Sequence, residues 1–310
     1  VTLLVALIPS LLFGIMALTL GAFPSSPRRQ NTATLVGAGL GSLAATAVVA
    51  SSWGTTALIV GVISGLLWAG GQFALVVGLK SWGVARTIPL TTALQLVINV
   101  LAGIALFHEW SSTAALLLGL GGLVLIMSGA ALCSWQESAI AALDPDEPMN
   151  LPTTGTDVIT ARPTHAAMRQ GFTWTVASAL MFGLYPSLLR LAEVSAADAV
   201  GPMGIGLLIG AAGFALLLPK EEPLVGKHSW QVFMAGMVWA IGNVVMLISA
   251  GSLGVATGFS LSQLGFVVAT TGAIIILREP RTSKEILAAA VGIVVAIVGV
   301  VLMGIGAGMS

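Results

Sequence analysis

Long apolar runs separated by short polar clusters dominate the chain, and ten of them, at 2–20, 32–50, 56–79, 84–107, 113–133, 172–189, 199–218, 230–249, 255–277 and 284–304, approach or exceed the roughly 20 residues that cross a bilayer core as a helix. Strands of alternating polarity, the mark of an outer-membrane barrel, are missing from the pattern. It therefore predicts an all-α integral membrane bundle of ten transmembrane helices, multi-pass in the inner (cell) membrane, with the lipid bilayer as its solvent. The opening run lacks a basic start and a small-residue cleavage site, so it reads as a first span rather than a removed leader.

One polar stretch interrupts the pattern. Residues 134–170 hold Glu137, Asp144, Asp146, Glu147 and Asp157 among Pro145, Pro148, Pro152 and Pro163. Such a composition predicts a mobile linker between a five-helix unit at 1–133 and another at 171–310. Laid on each other, the two halves match. Gly65, Trp68, Ala69 and Gly71 fall on Gly236, Trp239, Ala240 and Gly242, and Gln72 falls on another amide, Asn243. Gly83, Val84 and Ala85 fall on Gly254, Val255 and Ala256. With Arg86 taken as an insertion, Thr87 meets Thr257 and Glu109 meets Glu279, while Phe13 and Gly14 match Phe182 and Gly183. A repeat of five spans returns on the opposite side of the membrane, so the second half is expected to lie inverted relative to the first, as in many secondary transporters.

Composition sharpens the picture. The chain is 57% hydrophobic and 8% charged, with 12 basic and 12 acidic residues, where a soluble protein carries about 25% charged residues. A net charge of zero leaves no field to hold a polyanion, which excludes nucleic acid as a partner. Cys133 is the lone cysteine, without a second thiol for a disulfide or a metal cluster, and reads as a small buried apolar residue. The 38 glycines favour close helix packing, with pairs four apart at Gly37 and Gly41, Gly61 and Gly65, and Gly206 and Gly210. No zinc-protease pair, nucleophile elbow or nucleotide-binding loop occurs in a fitting context, so neither an enzyme, a cofactor nor a metal site is expected.

Polar side chains inside the spans carry the chemistry, because a polar group in hydrocarbon costs several kcal/mol unless it faces the bundle interior or a wet cavity. Trp68 and Gln72 share a helix face, as do Thr91, Gln95 and Asn99, and Trp239 with Asn243 and Ser262 with Gln263 repeat the theme in the second half. Amides both donate to and accept from hydroxyls while indole rings cover apolar C–H faces. That combination suits a neutral polyhydroxylated ligand. The alternative is interhelical hydrogen bonding that only holds helices together.

The strings SGLLWAGGQ (64–72), GVARTIPLTTALQLV (83–97), FHEWSS (107–112), GMVWAIGN (236–243) and GVATGFSLSQLG (254–265) occur in order across both halves. In combination they resemble the glucose/ribose porter family of the drug/metabolite transporter superfamily. The resemblance implies ten helices in two inverted repeats and uptake of a small-molecule sugar by a symporter coupled to the proton gradient. Export of drugs or amino-acid-like metabolites on the same fold is the competing expectation. One departure is Phe13 before Gly14, where the family often has Trp.

Two further expectations concern sidedness and energy. Every lysine and arginine except Arg190 falls near the odd-numbered loops or the linker, which places that face in the cytoplasm and both termini outside. The wider superfamily implies the reverse. Proton coupling requires a titratable group, and the candidates are His108 and Glu109 at the end of the fourth run, with Arg86 as a distant counter-charge and Glu279, beside Arg278, a weaker choice. Competing with that role, Ser111 and Ser112 or Thr282 and Ser283 can cap the helices that follow the two glutamates, making both tight-turn residues.

Overall fold

The computed structural model describes residues 2–48, 51–82, 84–108, 110–135, 165–253, 255–277, 282–307 and 309. Their regular structure is all helical: α1 (Thr2–Ala22), α2 (Pro27–Ala45), α3 (Thr55–Trp82), α4 (Val84–Phe107), α5 (Thr113–Ser134), α6 (His165–Leu191), α7 (Ala196–Leu217), α8 (Ser229–Leu253), α9 (Val255–Ser262), α10 (Gly265–Ile275) and α11 (Ser283–Ala307). Among the described residues, nine helical stretches are long and apolar enough to cross a membrane, one of them running through α9 and α10. This is a multi-pass membrane bundle.

Three expectations need correction. The second span begins and ends earlier than its apolar run, because Ser26 caps the helix by accepting from the Arg29 amide and Pro27 occupies the first turn. Its polar start is tolerated inside the bundle: the Arg28 guanidinium donates to Ala215 O at 2.7 and 2.9 Å and to Glu222 O, and Gln30 donates to Leu20 O at 2.8 Å. That polar turn keeps α2 below the hydropathy of the other spans. The linker is shorter than its polar composition, since Ser134 ends α5 and α6 starts at His165; residues 136–164 lie outside the described residues.

The ninth run is not one helix but two. The Gln263, Leu264, Phe266 and Val267 amides all bond three residues back rather than four, and the Ser262 hydroxyl donates to Phe259 O at 2.6 Å. This tightened stretch breaks the ladder. Ser10 of α1 donates to the Leu261 carbonyl at 2.7 Å, and Gly265 lets the Ser10–Gly14 backbone approach, so the irregular segment is sealed by a neighbouring helix rather than left in lipid.

Packing rests on contacts that a Cβ would forbid. A side chain on Gly37 would strike the Phe233 carbonyl and come within 3.3 Å of Gly236 Cα, fastening α2 to α8. A side chain on Gly65 would strike the Met203 carbonyl and lie 3.0 Å from Gly206 Cα, fastening α3 to α7. Gly65 and Gly236 are matched positions of the two halves, so each contact is the other with the halves exchanged. The same holds for Gly14 against Val268 and Gly183 against Ile98, for Gly71 against Phe182 and Gly242 against Phe13, and along α5 and α11 for Gly122 against Gly299 and Gly129 against Gly292.

Charges separate the two faces. Arg29 pairs with Glu222 at 3.3 Å and Lys80 with Glu221 at 4.0 Å, uniting the start of α2, the end of α3 and the α7–α8 loop on one basic face. On the opposite face Ser52 N donates to the Asp198 carboxylate at 2.6 Å, and Ser112 caps α5 while donating to Met309 O. Arg190, 4.3 Å from the centre of the Phe107 ring, is the described basic residue on this far face.

Because these glycines set interhelical distance, Gly65→Leu is expected to cost about 3 kcal/mol, at the upper end of overpacking penalties. The thermal midpoint of the detergent-solubilised protein measures it. A midpoint equal to the parent's would mean that α3 and α7 are not held at this separation.

Candidate functional site

A column of four rings crosses the centre of the bundle. Phe13 of α1 lies 6.5 Å from Trp239 of α8, Trp239 lies 3.9 Å from Trp68 of α3, and Trp68 lies 5.5 Å from Phe182 of α6. Matched positions of the two halves thus meet at the middle of the column, and both indoles are almost wholly buried. Gly71 and Gly242 open the space into which Phe182 and Phe13 reach.

Beneath this column lies a small chamber of about 120 Å³. Its walls follow the basic-face halves of α1, α3 and α4, together with α6, α8 and the interrupted ninth span. Of the residues singled out from the sequence, Trp68, Gln72, Thr91, Gln95, Trp239, Ser262 and Gln263 all line it. Ser262 and Gln263 sit where α9 breaks, and Gln263 Nε2 faces Ser262 Oγ at 3.4 Å.

Gln72 combines two features at the chamber wall. Its side chain is fully buried, it lines the cavity, and neither its amide oxygen nor its amide nitrogen has a hydrogen-bond partner in the protein. The Thr91 hydroxyl is likewise unpartnered at the wall. A buried amide left in this state costs about 1–3 kcal/mol. The remaining walls are neutral, with Thr92 and Gln95 among apolar and aromatic side chains.

Two residues on the same predicted faces are not at the chamber wall. Asn99, one turn beyond Gln95, turns its amide nitrogen back onto Gln95 O at 2.8 Å. Asn243 accepts from the Tyr185 hydroxyl at 2.9 Å and directs its nitrogen to Met203 Sδ at 3.5 Å. Asn243 therefore reaches the chamber only through Tyr185, which does line it. Tyr185 was not apparent in the sequence reading. It is the chain's single tyrosine, placed in an apolar span at the position matching Met16, another wall residue, and that register could have found it.

The charged candidates lie elsewhere. His108 is exposed at the end of α4, 13 residues past Gln95 and so about 20 Å along the helix axis. His108 (φ 51°) and Trp110 (φ 57°) both take the left-handed conformation that costs a side-chain-bearing residue about 1–2 kcal/mol. Glu109 between them, and Glu279, lie outside the described residues, as does the Arg86 side chain in the first turn of α4. The capping expectation is met at both places: Ser112 accepts from the Ala115 amide, and Thr282 and Glu285 exchange side-chain-to-backbone bonds. Among the described residues, no three His, Cys, Asp or Glu side chains are grouped to hold a metal ion.

A family model described as "Sugar transport protein" matches residues 4–147 and 153–306. The chain belongs to the sugar transport protein family. It is 33% identical over 303 residues to the glucose uptake protein GlcU of Bacillus subtilis, covering 98% of each chain. A probable glucose uptake protein GlcU of Priestia megaterium is 31% identical over 300 residues, covering 97% of each. A crystal structure at 20% identity superposes with a TM-score of 0.60 over 96% of this chain and 97% of that one, which shows the fold. The family is one of membrane transporters and not of enzymes.

For this family member the unpartnered amide makes a stability prediction. Gln72→Met keeps the side-chain volume and removes two unsatisfied polar atoms, so it should raise the stability of the ligand-free protein by about 1–2 kcal/mol. Thermal denaturation in detergent without sugar tests this. A destabilised variant would show that the amide has a partner after all.

Proposed function

We propose that the protein is a secondary transporter in the cell membrane that imports a neutral sugar of the glucose or ribose class by alternating access, driven by the proton gradient. The reading rests on one observation above the others, the fully buried Gln72 amide that lines the chamber beneath the indole pair with no partner in the protein. A sugar hydroxyl can donate to its oxygen and accept from its nitrogen at once. Thr91, Gln95, Ser262 and Gln263 supply further neutral contacts, and the Trp68 and Trp239 faces cover the sugar's C–H surface. Family membership supports sugar as the substrate class.

Alternating access follows from the architecture in this reading. The swapped glycine contacts and the ring column are what two inverted five-helix repeats meeting across a pseudo-two-fold axis would produce. Shifting these helices against one another would exchange the face to which the chamber leads. The excess of lysine and arginine makes the basic face cytoplasmic.

Uptake of labelled glucose, ribose and amino acids into proteoliposomes discriminates the sugar reading from an exporter of amino-acid-like metabolites. Sugar uptake is expected, and Gln72→Ala should weaken apparent affinity roughly 5- to 100-fold, corresponding to about 1–3 kcal/mol. Amino-acid transport with sugars inert would overturn the proposal.

Coupling is assigned to Glu109, with His108 as its neighbour, at the strained turn between α4 and α5. In Glu109→Gln vesicles, accumulation driven by a pH gradient should vanish while sugar exchange persists. Intact concentrative uptake would remove Glu109 from the mechanism.

A further inference from the structure

Among the other cavities in the described residues, one at each face bears on the chamber. The cavity on the basic face, about 430 Å³, lies beside the Lys80–Glu221 pair and shares Leu20 and Leu79 with the chamber walls. The far cavity, about 550 Å³ between α6, α7 and α8, shares no wall residue with the chamber. Their linings nevertheless correspond. In the register that lays Phe13 on Phe182 and Trp68 on Trp239, Leu20 falls on Leu189, Ser26 on Ser195, Val76 on Leu247 and Leu79 on Ala250, with the first of each pair at the basic face and the second at the far face.

Between chamber and far cavity stands a thin layer. Tyr185 and Met246 face the chamber, while their chain neighbours Pro186 and Leu247 face the far cavity. Here the two halves differ in one bond. The Tyr185 hydroxyl donates to Asn243 Oδ1 at 2.9 Å and ties α6 to α8. The matched positions on the basic side are Met16 and Gln72, and a thioether has no proton to donate to that amide. The layer is therefore bonded at one end of the path and unbonded at the other.

We propose that the far cavity is the second vestibule of the transport path, taking the same neutral polyol as the chamber, and that the Tyr185–Asn243 hydrogen bond is the latch closing it. This rests on the transport reading above. The bond exists only while α6 and α8 stay together, so it stabilises the state closed to the far face and is lost when that face opens. Removing the hydroxyl should raise the far-open population about fivefold, the equivalent of one ordinary hydrogen bond.

Thiol labelling with a membrane-impermeant reagent, in sealed vesicles of both orientations and a Cys133→Ala background, tests it. Gly251→Cys marks the far vestibule, since a side chain there meets nothing within 4 Å, and Ser25→Cys marks the basic face. Ala17→Cys reports the chamber. Gly251→Cys should react only from the far face. Ala17→Cys should react from the basic face in the parent and gain about fivefold far-face reactivity with Tyr185→Phe. Asn243→Leu removes the same bond from the other side and should act alike. Unchanged far-face labelling in both variants, or labelling of Gly251→Cys from the basic face, would overturn the proposal. Failure of glucose or ribose to protect Ala17→Cys would sink the sugar reading while two-faced labelling still upheld the latch.

Discussion

Helices in hydrocarbon gain little by hiding apolar surface from lipid that is equally apolar, so this bundle depends on backbones coming close enough for dispersion and carbonyl contacts to act. Gly37 against Gly236 and Gly65 against Gly206 set that distance for α2, α3, α7 and α8. Everything at the centre follows from it. Once α3 and α8 are each drawn against a helix of the other half, Trp68 and Trp239 face each other at 3.9 Å. Gly71 and Gly242, one turn along, leave room for Phe182 and Phe13 to complete the column.

The same tightness isolates polarity. A bilayer offers no water to an exposed amide, so polar side chains in the spans turn inward, and the ones that bear on the site are either bonded to a neighbour or gathered at the chamber. Asn243 is taken up by Tyr185, and the Asn99 nitrogen by Gln95 O. Gln72 and Thr91 are collected without partners. The interrupted ninth span belongs to the same arrangement: a ladder broken at Gln263 is tolerable where Ser10 takes the Leu261 carbonyl and the chamber takes Ser262 and Gln263.

Much of this was legible in the residues. Hydropathy placed α4 at its observed bounds, and the fit of one half on the other singled out Trp68, Gln72 and Trp239 before any geometry. Hydropathy failed where polar atoms are satisfied by tertiary partners. Arg28 and Gln30 look like loop residues until Ala215 O and Leu20 O are beside them. It also failed at the broken span, because bonds to the third residue back leave no mark in composition. Helical periodicity put Asn243 on the same face as Trp239, yet matched positions of the two halves differ in chemistry. Tyr185 stands where the first half has Met16, and one hydroxyl turns an amide that would face the chamber into a tie between helices.

If the halves are the two inverted repeats proposed above, that inequality is what lets the scaffold rest in one state. Two identical halves would close both ends of the path equally well, and nothing would favour one orientation of the chamber. A difference of one hydrogen bond, about 1 kcal/mol, biases such an equilibrium roughly fivefold without locking it. A ligand that satisfies Gln72 contributes a term of similar size at the matched position of the other half. On the transport reading proposed above, the energy from satisfying Gln72 is commensurate with that of the latch, and substrate resets the balance as far as it binds one state more tightly than the other.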